Sequence, residues 1–359
     1  MAIDNMAFSL ALILFYALAS ILLVKTGFWK KVRNSISDNP KKLCLLTACF
    51  VLATPLFFFN NPYVLHILTL ACIYCVATIG LNIQVGSTGM VNFAQGAFFG
   101  IGAYVSALLG GHFGVSFWIS LPAGMLAAGF FGLLMGLPTL KTREYHLSLV
   151  TIAFAYISFL LVMNFDWTGG PDGIADISKP VLFGFKIGQT VTVGGVTIPG
   201  VAFYCYMVLA FLGIALLVAH RLHNSWYGMA WNAIRDDEIS SRCYGLSLRK
   251  SKLEAFVFGS LFAGAAGALY AHFIGFMSTE NMSFQIGLLM VCMVILGGMD
   301  NIAGVLVGTL LLIVIPEKLR AFDDYRMLFY GLVLISMLLF RPQGIIPSKP
   351  RFFDLKKRV

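Results

Sequence analysis

The chain has 359 residues, of which 59% are hydrophobic and only 11% charged, with a formal net charge of +9. Soluble domains are about 45–50% apolar and about 25% charged, so a mean hydropathy of +0.85 excludes an ordinary soluble globule. The positive charge belongs to loops flanking membrane spans rather than to a nucleic-acid surface.

Long apolar runs with little charge read as membrane helices. They do not alternate apolar and polar positions, which excludes a transmembrane barrel. In chain order the expected spans are 8–24, 43–59, 64–84, 93–109, 117–138, 147–164, 201–219, 255–276, 284–297, 302–316 and 327–340. The fold class is therefore an all-α polytopic membrane protein with about 10–11 transmembrane helices. The fourth span is glycine-rich and the ninth is short, so each is read as either a full crossing or a re-entrant, broken helix. No cleavable signal peptide is evident, because Asp4 rather than Lys or Arg precedes the first run.

Basic residues orient the bundle. Most of the Lys and Arg fall in 25–42, 141–146, 220–254 and the tail after 340. With eleven crossings these four segments share one side, which the positive-inside rule makes the cytoplasm. The N-terminus is then outside and the C-terminus inside. Residues 1–42 form an extra helix and basic loop, 43–347 a transmembrane domain, and 348–359 a basic tail.

The external loop 165–200 opens with "DWTGGPDGIADISKP". Gly169, Gly170, Pro171, Asp172 and Gly173 are strong turn residues. Alternation around Gly194-Gly195 suits a small hairpin. The loop reads either as a plain tether or as a cap and docking surface for an external binding protein. "GMVNFAQG" at 89–96 also echoes "GMDNIAG" at 298–304, each preceding a helix rich in small residues, which raises an internal repeat.

Chemistry-bearing residues are few. Asp166, Glu280 and Asp300 lie at span ends, and His66 and His272 read as packing residues. Ion-coupled carriers usually hold a charge within a span, so this pattern speaks against them. No metalloprotease, nucleophile-elbow or phosphate-loop motif occurs, so ATP and Mg²⁺, if used, belong to another chain. The cysteines, mostly in apolar runs, read as buried thiols, and the Cys72/Cys75 pair lacks nearby His or acidic partners. The amides of Asn82, Gln84, Asn92 and Gln95, with Phe93 and Phe98, lie in the glycine-rich region where a broken helix would expose backbone groups to a zwitterion. They read equally as ties between helices.

"IRDDEISSRCYGLSLRKSKLE", 234–254, concentrates charge between two apolar runs. Asp236, Asp237 and Glu238 suit the start of a short helix. Ser240 and Ser241 permit close approach, and Gly245 suits a left-handed cap. The stretch, beginning at Arg235, reads as a helix and turn lying across the membrane face.

This stretch and the following "AFVFGSLFAGAAGALYA" resemble the coupling segment and next helix of branched-chain amino acid ABC importer permeases. Ser240, Ser241 and Gly245 fit the family's small positions and glycine. Ile239 stands where the general importer pattern has Glu, with Glu238 one residue early. "GSTGMVNFAQGAFFGIGAYVSALL" (86–109), "LKTREYHLSLVTIAFAYI" (140–157), "DWTGGPDGI" (166–174), "VILGGMDNIAGVLVGTLLL" (294–312) and "FRPQGIIP" (340–347) are also similar to the family. The extra N-terminal span resembles the M-type subunit of the LivH/LivM family rather than the shorter H-type. The resemblance implies transport of Leu, Ile and Val or related apolar amino acids across a bacterial inner membrane. It implies a homologous second permease, two cytoplasmic ATPases carrying ATP and Mg²⁺, and a periplasmic binding protein. No cofactor is expected on this chain. A urea or short-chain amide permease of the same superfamily is the nearest alternative; a channel, an ion-coupled carrier or a membrane enzyme has less in its favour.

Overall fold

The computed structural model describes residues 61–139, 144–182, 185–188, 191–193, 196–318 and 343–347, with isolated positions at 55, 328, 331, 332, 335, 336 and 339. The spans expected at 8–24 and 43–59, the basic segments 25–42 and 141–143 and the tail after 347 lie outside them, save for Pro55. The 327–340 span is represented only by isolated positions. Apart from Pro55, the described residues belong to one unit, Phe58–Val359.

Among the described residues ten α-helices run in chain order: α1 Pro62–Asn82, α2 Gln95–Gly111, α3 Phe117–Thr139, α4 Glu144–Asn164, α5 Gly200–His223, α6 Trp226–Asp236, α7 Glu238–Cys243, α8 Leu248–Ile274, α9 Phe284–Gly297 and α10 Ile302–Lys318. Five of these described helices are long and apolar enough to cross a membrane: α1 extended to Ser87, Phe117–Leu137, Leu147–Asn164, α5 and α8. The fold is thus all-α and polytopic, as the hydropathy requires. Helices α2 and α9, at 17 and 14 residues, rise only about 25 and 21 Å, less than a hydrocarbon core of about 30 Å.

Two short antiparallel strand pairs lie in the segment before α5. They are β1 Val181–Leu182 with β2 Phe185–Lys186, and β3 Val191–Val193 with β4 Val196–Ile198. The second pair closes at Val193 and Val196, the hairpin expected around Gly194-Gly195.

Helix α8 packs on α1, α2 and α3, and its small residues let it approach so closely. A side chain at Gly267 would overlap the carbonyl oxygen of Phe99 in α2; one at Gly264 would overlap Ala128 in α3. Helix α1 is apolar all round and buried from Ala71 to Asn82, as befits a central span.

The fourth span forms one continuous helix, α2, and the interruption lies before it, between α1 and α2. Helix α1 passes into a π-turn, Ile83–Ser87, and non-helical chain leads to α2. A side chain at Gly96 would sit 2.7 Å from the backbone nitrogen of Gly287, so α2 and α9 begin side by side.

The two echoing segments share a backbone device. Gly89 has φ +74° and Gly298 φ +116°. Asn92 Oδ1 then accepts from the Ala94 N–H at 2.8 Å, and Asn301 Oδ1 from the Ala303 N–H at 3.1 Å. Each asparagine bends the chain into the next helix, α2 or α10.

Candidate functional site: the α6–α7 segment and the helix break

The charged stretch folds as two helices. Helix α6 is amphipathic, burying Gly228, Ala230, Trp231 and Ile234. Trp231 donates Nε1–H to the Ser251 carbonyl in α8 at 2.9 Å, which pins α6 to the bundle. The helix stops at Asp237, whose backbone is extended (φ −157°, ψ 112°) and whose Oδ1 accepts from the Ile239 and Ser240 N–H groups at 2.8 and 3.1 Å. This is an N-cap with the acceptor chemistry such a position favours. Asp237 and Glu238 thus open α7 as expected. Asp236 instead closes α6, because the break falls one residue after it.

Helix α7 ends at Gly245. Its φ is +81°, its N–H donates to Arg242 O at 3.0 Å, and the Leu246 N–H returns to Ser241 O at 3.1 Å. That is the Schellman closure a glycine supplies. Lys252 of α8 donates to Glu238, tying α7 back to the bundle. Ser241 is buried, while Ser240 is exposed. Ile239 and Tyr244 are 79% and 85% exposed, so the element presents apolar side chains outward. Between α6 and α7 runs a groove of about 300 Å³ lined by Trp226, Met229, Ala233, Ser240 and Tyr244, with Asp236 and Asp237 at its side.

Arg235, on the last turn of α6, reaches the helix break. It donates Nη1–H to Gly86 O in the π-turn and lies 3.6 Å from Asp300 Oδ2. Asp300 and its neighbour His223, 3.7 Å away, were not singled out as site residues by the sequence. The aspartate inside the second echo was the available signal.

The break itself is held by amides. Gln84 Nε2–H donates to Phe256 O at 3.0 Å, and its Oε1 accepts from Asn92 Nδ2–H at 2.6 Å. Gln95 Nε2–H donates to Ala77 O at 2.9 Å and to Gly259 O at 3.2 Å. Asn82 Oδ1 accepts from the Asp300 N–H at 2.8 Å. All four amides are buried, and together they join α1, α2, α8 and the α9–α10 turn. Phe98 is buried against Phe154 and Phe256. Phe93, half-buried, faces Phe284 at the start of α9.

At the other end of the bundle, Gly169, Gly170 and Gly173 all have positive φ. Ile174 and Met277 exchange two backbone hydrogen bonds of 2.9 Å, so this turn is clasped to the chain that leads into α9. Pro171 and Asp172 stay exposed. His272 is buried with Nδ1 2.7 Å from Ser178 O and Nε2 2.9 Å from Ser106 Oγ, a satisfied packing residue. Cys72, Cys75, Cys205 and Cys292 are buried free thiols, whereas Cys243 is exposed. Among the described residues no group of His, Cys, Asp and Glu is placed to hold a metal ion.

A family model described as "Branched-chain amino acid transport system / permease component" matches residues 63–338. The chain is 38% identical over 329 residues to the high-affinity branched-chain amino acid transport system permease protein LivM of Escherichia coli (strain K12), covering 88% of this chain and 77% of that protein. It is 24% identical to the probable branched-chain amino acid transport permease protein LivM of Methanocaldococcus jannaschii, covering 80% of this chain and 94% of that one. It is 25% identical to LivH of E. coli (strain K12), covering 77% of this chain and 92% of that one. No solved structure matches the chain.

Proposed function

The chain belongs to the branched-chain amino acid transport system permease family, and on that premise we propose that it is the M-type membrane subunit of an ATP-driven importer. It carries Leu, Ile, Val or related apolar amino acids across the bacterial inner membrane. A homologous second permease completes the pathway. Two cytoplasmic ATPases bind ATP and Mg²⁺, and a periplasmic binding protein delivers the ligand onto the 165–200 loop.

The observation that carries this reading is the α6–α7 element. It is rigidly capped at Asp237 and Gly245, anchored by Trp231, and shows Ile239 and Tyr244 to the outside. Large exposed apolar side chains beside a groove suit a protein partner. The ATPase docks here, and closure of the ATPase dimer moves α6 and α7 to drive alternating access. The pathway follows the break between α1 and α2. There α2 and α9 start side by side, neither with a side-chain cap at its N-terminus. Paired helix N-termini within a bundle favour a carboxylate, and Phe93 offers an apolar surface to the substrate side chain.

Co-purification tests the docking assignment. Ile239→Asp places a charge on the exposed contact and is expected to release the co-expressed ATPase while the permease stays membrane-inserted. Undiminished ATPase retention contradicts it.

A further inference from the structure

Asp300 occupies the turn between α9 and α10. Its φ is +64°, a region that non-glycine residues rarely hold unless their surroundings over-determine it. It is only 4% exposed. Its backbone N–H donates to Asn82 Oδ1 at 2.8 Å, and its Oδ1 accepts from Ser87 Oγ–H at 2.9 Å. Arg235 Nη1 stands 3.6 Å from Oδ2 and His223 Nδ1 3.7 Å from Oδ1. A buried carboxylate is retained only where it is paired and hydrogen-bonded, and this one draws its partners from the α1 π-turn, the end of α5 and the end of α6. Arg235 also holds the π-turn directly, through Gly86 O. The glycine Gly89 lets its stem lie close, since an added side chain there would meet Arg235 Cγ at 3.2 Å.

We propose that the Arg235–Asp300 pair is the joint that carries motion of α6–α7 into the transmembrane helices. The proposal rests on the ATP-driven reading above. Arg235 sits two residues before the break at Asp237, at the end of α6 nearest the docking element. Any displacement of α6 is therefore applied at two points: Gly86, inside the π-turn where α1 ends, and Asp300, between α9 and α10. Those are the two helix interruptions that share the Gly-Met-x-Asn-x-Ala device. A π-turn is a common site of functional rearrangement because its hydrogen-bond ladder is already irregular. The joint couples the docking element to both interruptions at once, and Arg235 and Asp300 act as positioning residues for transport.

The test reconstitutes the full complex in vesicles and reads leucine moved per ATP hydrolysed, normalised to assembled complex. Asp300→Asn and Arg235→Gln are each expected to lower that ratio about tenfold. The double variant is expected to be no worse than either single one, and Arg235→Lys to restore part of the loss. Unchanged ratios in the variants, or uptake and hydrolysis falling in parallel, would make the pair a static tie and overturn the proposal. If Asp300→Asn does not assemble, Arg235→Gln, on a part-exposed helix end, gives the same reading alone. Wild-type complex that shows no ATP-driven uptake defeats the importer reading itself, whereas wild-type uptake with unaffected variants defeats only the joint.

Discussion

The indole N–H of Trp231 meets the carbonyl oxygen of Ser251 at 2.9 Å, fastening α6 to the first turn of α8. Trp231 is fully buried, and its ring stands 6.1 Å from Phe258. Removing a buried tryptophan costs about 3–5 kcal/mol. Trp231→Ala is accordingly expected to undock α6 and sharply lower the yield of assembled complex. Trp231→Phe keeps most of the packing and loses one hydrogen bond, about 1 kcal/mol. Detergent thermal melts of the two variants should rank in that order.

Asp237 is expected to govern the order of α7. Its carboxylate holds two N–H groups of the first turn, and loss of such a cap costs about 1 kcal/mol. Asp237→Ala should speed hydrogen exchange at the Ile239 and Ser240 amides about fivefold, the factor equivalent to that energy. Asp237→Asn should leave it nearly unchanged, since asparagine caps as well.

At Gly245 the constraint is conformation rather than space. No atom lies within 4 Å of where a Cβ would be, yet φ is +81°. A β-branched residue there is strained by about 1–2 kcal/mol. Gly245→Val is expected to abolish most ATP-driven uptake with membrane insertion intact. Gly245→Asn, which tolerates this region, should retain much of it. Equal activity in the two variants would remove the cap from the coupling assignment.

Cys243 gives a direct footprint of docking. It is exposed at the end of α7, while Cys72, Cys75, Cys205 and Cys292 are buried. A membrane-impermeant maleimide is expected to modify Cys243, located by peptide mapping, in the isolated permease. Bound ATPase should slow that reaction at least several-fold.

Much of this was legible from local signals. Hydropathy marked the long helices because a span in lipid must be apolar throughout. Gly245 announced its positive φ, because glycine suits that backbone, and the alternation around Gly194-Gly195 announced the pairing of β3 with β4. The echo at Gly89 and Gly298 marked two like turns. The split of the charged stretch into α6 and α7 was not legible, since Asp236, Asp237 and Glu238 all suit a helix start and only packing decides which one caps. The grip of Arg235 on Asp300 and Gly86 was hidden for a different reason: it is a tertiary contact between distant segments, and no spacing in the chain encodes it. The four amides were picked out together, but the structure was needed to find their carbonyl partners in α1 and α8.

The most direct test of the account is uptake of radiolabelled leucine and of urea into vesicles carrying this chain with its neighbouring permease and ATPase, with ATP inside and the binding protein outside. The account predicts ATP-dependent leucine uptake that excess isoleucine blocks, with urea excluded. Uptake of either solute without the ATPase would contradict it.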